Sequence, residues 1–122
     1  MDVFDGGNRL FVYGTLRSEF DNPHARRLRE GARLLGPAWV EGSILHLGRY
    51  PGFRRGRGGR VIGEVYELGD PVALLASLDA YEGDEYRRIA IDVAGFGAAW
   101  IYELAAVPAG ACRIESGDFL NA

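Results

Sequence analysis

Apolar and polar positions along the chain switch between two periods, and the switches mark out the elements. Residues 9–13, "RLFVY", form a compact aromatic and aliphatic run that predicts a strand. It breaks at Gly14, and Thr15, the only threonine in the chain, follows directly. Residues 21–31, "DNPHARRLREG", predict a short helix: Asp21 or Asn22 can cap it, Pro23 suits its first turn and Gly31 its end. Residues 32–47 read as extended, with bends at Gly36-Pro37 and Gly42. Residues 48–60, "GRYPGFRRGRGGR", read as a Gly- and Pro-punctuated loop, and 61–68, "VIGEVYEL", as a strand.

The strongest helix signal covers residues 69–83. Asp70 is placed to cap, Pro71 to open the first turn and Gly83 to stop the helix, while Leu74, Leu75 and Leu78 share a face. Residues 86–95 then alternate, with Ile89, Ile91 and Val93 pointing one way. A tight "GFG" turn leads into residues 98–104, where Trp100, Tyr102 and Leu104 share a face. The tail from Val107 reads mostly as loop. Several strands with two short helices predict one α+β domain over residues 1–122, its mixed sheet partly closed on itself.

Composition narrows the chemistry. At 122 residues the chain is long enough for a real core, and its 48% hydrophobic and 25% charged shares are those of a globular protein. No apolar run approaches the ~20 residues of a membrane helix, and the acidic, glycine-containing start differs from a secretory leader, so a cytoplasmic location and no membrane partner are expected. All fourteen basic residues are arginine. Chemistry that needs an amine, such as a P-loop lysine or a Schiff base, is therefore excluded. The net charge of −3 argues against nucleic acid as a partner. Cys112, alone, forms no internal disulfide and reads as a small packed residue. His24 and His46 lie in no metal-ligand spacing, and no metal is expected.

Three stretches hold candidate chemistry. The Gly14–Thr15 turn is either a plain strand exit or a nest of outward N–H groups that receives an anion. The acidic run at Asp79, Glu82, Asp84 and Glu85 sits at a helix C-terminus, where carboxylates are disfavoured. Either it is a solvated turn paired with Arg87 and Arg88, or crowding, the helix dipole and burial lift a carboxyl pKa toward ~6–7, where it both takes and returns a proton. The loop with Arg54, Arg55, Arg57 and Arg60 reads as mobile and solvated, since RNA-binding Arg-Gly segments are long and repeated. Glu64 is a fallback carboxylate with a strand-edge structural role.

Taken in order, "FVYGTLR", "YPGF", "GEVYEL", "LLASLDAYEGDEYRR" and "AAWIYEL" resemble the gamma-glutamylcyclotransferase-like superfamily, and within it the gamma-glutamylamine cyclotransferase branch with its bacterial relatives. The resemblance runs from about residue 9 to residue 104, and the ordered pair of "YGTLR" and "LDAYEG" is its most specific part. It implies a small partial barrel of mixed sheet around a cavity. It implies that Tyr13, Gly14, Thr15 and Leu16 hold the glutamyl end of a small-molecule substrate. Glu82 corresponds to the family's acid/base, and Tyr102 to a cavity tyrosine. The implied contacts extend to Tyr50 in "RYPGF" and Arg88 in "YRR".

The reaction it implies closes a gamma-glutamyl amine or peptide into 5-oxoproline, releases the amine, and needs no water, metal or cofactor. Two other classes stand beside it. A non-catalytic carboxylate-binding module would keep the cavity and tend to lose the acid of the "YEG" segment, which is present here. An RNA-binding protein would use the arginine loop.

Overall fold

The computed structural model describes residues 6–47 and 50–121. The N-terminal segment 1–5, Gly48 and Arg49 of the expected loop, and Ala122 of the tail lie outside the described residues. Eight strands and two helices follow in the order β1 (Arg9–Val12), α1 (Pro23–Gly31), β2 (Ala32–Glu41), β3 (Ser43–His46), β4 (Pro51–Arg54), β5 (Arg60–Leu68), α2 (Pro71–Glu82), β6 (Tyr86–Val93), β7 (Gly97–Leu104) and β8 (Cys112–Arg113). The sheet order is β2-β5-β1-β7-β4-β3-β8, with β6 on β7. It is the curled, mixed half-barrel with two helices that the sequence predicts.

Both helices form where their local signals stand. The Asn22 side chain caps α1 by accepting from Ala25 N, and Asp70 caps α2 by accepting from Ala73 N. Proline opens each helix, where its missing N–H is not needed. Gly83 stops α2 at φ 71°, a left-handed conformation open to glycine. Two cores result. Phe11, Ile44, Phe53, Val65 and Ile101 pack inside the curl, while Leu10, Val12, Leu28, Leu74, Leu78 and Tyr102 pack between sheet and helices. Strand β1 is buried on both faces, as its unbroken apolar run requires.

The placement of β1 and β4 creates the site. Strand β6 pairs antiparallel with β7 along its whole length. The opposite edge of β7 is shared by two strands in line, both parallel to it: β1 at Leu10↔Trp100 and β4 at Phe53↔Glu103. β1 therefore leaves the sheet where β4 enters it. A Cβ on Gly14 would stand 2.9 Å from the Pro51 ring, so only glycine lets the departing chain pass the arriving one.

Four expectations are corrected. Residues 51–54 are an interior strand, not loop. Its Pro and Gly resemble turn signals, yet Pro51 only opens the strand. Gly52 is required because the Leu104 side chain would lie 2.3 Å from its Cβ. The tail is also tied down: Cys112–Arg113 pairs with β3, Ile114 enters the inner core, and Arg17 binds Asp118 at 2.8 Å. Cys112 is exposed rather than packed. The arginine segment is partly anchored: Arg54 donates to Leu104 O, Arg55 meets the buried Glu103, and Arg60 stacks 4.3 Å over Trp39.

Candidate active site

A cavity of about 200 Å³ opens at the β1/β4 gap. One wall is the turn Tyr13–Leu16 with Phe11 and Val12 behind it. The other is built by Tyr81 and Glu82 from the end of α2, Glu85 from the following 3₁₀ turn, and Tyr86 from the start of β6. Tyr102 of β7, Tyr50 and Pro51 complete it. Five of the chain's six tyrosines line this one space.

The turn is held from behind and open in front. Glu64 takes the Ser18 N–H and hydroxyl, each at 2.7 Å, and Arg17 N donates to Gly14 O. Glu64 stands on β5, between β2 and β1, so it fastens the loop from an interior strand, not from an edge. Asn22 donates to Thr15 O at 2.8 Å with the same side chain that caps α1. Among the described residues the N–H groups of Gly14, Thr15 and Leu16 find no protein acceptor. They are donors fixed beside a cavity, the arrangement an anion nest requires. Asn22→Ala is expected to cost about 1–2 kcal/mol in urea denaturation. It should also weaken carboxylate binding, because one side chain serves both the helix and the turn.

Glu82 is half-buried on the opposite wall. Burial, with the nearby Glu85 carboxylate second, pushes its pKa from 4.5 up to about 7. Of the two arginines expected to neutralise the acidic run, Arg88 pairs with one member of it, Asp79, and Arg87 is engaged elsewhere. Arg87 binds Glu103, and Arg88 forms a two-bond ion pair with Asp79 at 2.9 and 3.1 Å. Among the described residues neither Glu82 nor Glu85 has an ion-pair partner.

Two tyrosines are locked by their hydroxyls. Tyr13 donates to Tyr102 O at 2.7 Å and accepts from Phe53 N at 3.0 Å, splicing β1, β7 and β4 where they meet. Its hydroxyl is thus a structural joint, while its ring and backbone line the cavity. Tyr102 donates to Asp79 Oδ1 at 2.6 Å. Burial raises the Asp79 carboxyl, but the bonds from Arg88 and Tyr102 outweigh it and hold the group below its usual range. Arg88, stacked 4.4 Å over Trp100, is not brought to the cavity wall; it reaches the site only through Asp79 and Tyr102.

Of the residues the sequence singled out, Tyr13, Gly14, Thr15, Leu16, Tyr50, Glu82 and Tyr102 are brought together. Tyr81 and Tyr86, which flank Glu82 in "YEGDEY", join them without having carried a signal of their own in the sequence. Tyr86 donates to Pro51 O at 2.9 Å, and Tyr81 stacks on His24 with ring centres 3.7 Å apart at the cavity mouth. Among the described residues no cluster of His, Cys, Asp and Glu is arranged to hold a metal, and no helix is long and apolar enough to cross a membrane.

The chain as a whole matches known proteins in sequence and in fold. The profile of the family described as gamma-glutamyl cyclotransferase, AIG2-like, matches residues 10–121. The chain belongs to this family. It is 41% identical over 116 residues to the gamma-glutamylcyclotransferase family protein YtfP of Escherichia coli K12, covering 93% of this chain and 96% of that one. The solution structure of E. coli ytfP superposes with a TM-score of 0.72 at 39% identity, over 93% and 96% of the two chains. The crystal structure of the uncharacterized protein PH0828 from Pyrococcus horikoshii gives 0.74 at 35% identity, over 91% of this chain and 88% of that one.

Proposed function

We infer that the protein is a gamma-glutamyl cyclotransferase that converts a gamma-glutamyl amine or peptide to 5-oxoproline and a free amine, with Glu82 as general base and then general acid. The observation that carries this reading is the placement of a single raised-pKa carboxylate across a small cavity from a turn of unpartnered N–H groups. At about 200 Å³ the space is below the ~300 Å³ at which sites for drug-sized ligands begin. It suits an amino-acid head group.

In the reaction the substrate's α-carboxylate sits on the N–H groups of residues 14–16, which turns the α-amine toward its own side-chain carbonyl. A free α-amine has a pKa near ~8, so a base of pKa about 7 accepts its proton with little uphill cost. The amine nitrogen attacks the side-chain carbonyl carbon, and the bond to the leaving nitrogen breaks. Of the three protons on the α-ammonium, one stays in the lactam and two depart on the leaving amine, carried across by Glu82. The protons balance with one carboxyl group, and no water enters. Holding both ends of a folded substrate contributes several kcal/mol of barrier reduction.

The test is release of 5-oxoproline from a panel of gamma-glutamyl amines and peptides. In parallel, titration with 5-oxoproline is expected to shift the amide resonances of Thr15 and Leu16. Static amides at saturating ligand would remove the nest from the mechanism. The second reading, a carboxylate-binding module, rests on the same turn; it predicts the shifts with no turnover of any member of the panel.

A further inference from the structure

We propose that the recess walled by the arginine segment, at the far end of β4 from the catalytic cavity, is a second binding site, and that it takes a nucleoside di- or triphosphate. No residue lines both spaces, so this stands apart from the cyclotransferase reading.

The recess is open and about 820 Å³, a volume in the range of small-molecule sites. Residues 55–60 form one wall, Trp39 and Glu41 of β2 another, and Asp92 of β6 a third. The arginine segment reads as mobile from its composition, yet both of its ends are pinned. Glu103, fully buried, accepts from the Arg55 backbone N–H at 3.0 Å and pairs with the Arg55 guanidinium at 3.4 Å. At the other end Gly58 N donates to Glu41 Oε2 at 3.2 Å, and Gly42 N donates to Gly59 O at 3.1 Å. Between these anchors the N–H groups of Gly56 and Arg57 find no protein acceptor among the described residues. Nor does Arg57 or Arg60 have a carboxylate partner among them, in a protein whose net charge is −3.

The groups on these walls name the ligand. A guanidinium is a planar fork that matches phosphate oxygens two at a time, and three of them line the recess, so more than one phosphate can be held. The free N–H groups of the pinned segment add donors beside them. Arg60 lies 4.3 Å over the Trp39 ring, which sets a stacked, planar platform next to the phosphate donors. Aromatic rings and guanidinium planes are the surfaces on which nucleobases stack. The acids limit the length of the ligand. Glu41 and Asp92 stand on the walls facing the arginines and repel phosphates that run past them. A nucleic-acid strand needs a continuous basic track, whereas a compact nucleotide needs only the one wall.

The experiment titrates the isotope-labelled full chain with ATP, tripolyphosphate, inorganic phosphate and a short oligouridylate at equal ionic strength, reading amide resonances. ATP is expected to shift Gly56, Arg57 and Gly58 saturably and to leave Thr15 and Leu16 in place, which separates this site from the turn at the catalytic cavity. Stacking should make ATP bind about tenfold more tightly than tripolyphosphate, with inorganic phosphate weaker still. Arg57→Ala, on an exposed side chain, should loosen ATP about fivefold, while Arg27→Ala, an equally exposed arginine on α1, leaves the affinity unchanged. Absence of a saturable shift at residues 56–58 overturns the site. Tripolyphosphate binding as tightly as ATP overturns the nucleoside, and oligouridylate binding more tightly than ATP overturns the compact ligand. Equal losses in the two arginine variants would reduce the binding to general charge and overturn the inference as well.

Discussion

Glu82→Gln lowers the rate of 5-oxoproline release by about 10²–10⁴-fold, the contribution expected of a positioned proton-transfer group, and leaves the fold intact. Glutamine keeps the shape and loses the proton exchange. The wild-type rate should rise with pH through about 7 and level off above it, since the carboxylate is the form that accepts the proton of the α-ammonium. A variant retaining more than a tenth of the rate would take Glu82 out of the mechanism.

Stability should move the opposite way. The folded pKa of Glu82 is raised above its unfolded 4.5, so the native chain binds the extra proton between pH 4.5 and about 7. Its stability therefore falls as pH rises through that window, and above it the native state holds a half-buried charge. Glu82→Gln removes this cost. The variant is expected to exceed the wild type by about 1–3 kcal/mol at pH 8, after discounting for solvent screening, and to match it near pH 4. Urea denaturation at the two pH values measures both. A site that gains stability when its reactive group is neutralised is one that holds that group under electrostatic strain.

The second large effect concerns two buried tyrosines with opposite expected responses. Tyr13→Phe removes the hydroxyl that donates to Tyr102 O and accepts from Phe53 N in a fully enclosed setting. Leaving those groups short of partners costs about 2–4 kcal/mol, or a fall in Tm of roughly 10 °C. Activity at moderate temperature should fall as well, because the joint sets the gap that forms the cavity. Tyr66 is still more deeply buried, but its hydroxyl has no hydrogen-bond partner among the described residues. Tyr66→Phe deletes an unsatisfied polar atom and is expected to be neutral or stabilising. Calorimetry on the pair decides it; equal losses would mean that ring packing, not the hydroxyl joint, dominates at Tyr13.

The missed elements share a cause. β4 was hidden because Pro51 and Gly52 are turn residues by any local rule, and only the Leu104 side chain lying across Gly52 makes glycine a strand requirement there. The tail reads as loop because two residues of β8 and one buried isoleucine form no periodic pattern. Glu103 sits in the apolar run of β7 yet is fully buried, which Arg87 and the Arg55 N–H make tolerable by occupying both its oxygens. Each depends on a partner far along the chain.

By itself the sequence determined both helices, their caps, six of the strands, the turn at Gly14 and the acidic run that ends α2, because those signals are made of neighbouring residues and act at short range. The tertiary structure decided which of these meet. It set β1 and β4 end to end on one edge of β7, so that a turn from the N-terminal region faces the end of α2. It took Arg87 to Glu103 and gave Arg88 to Asp79 alone, and left Glu82 half out of water without an ion-pair partner among the described residues. Burial and like charge are properties of a neighbourhood, and a neighbourhood exists only once the chain has closed on itself.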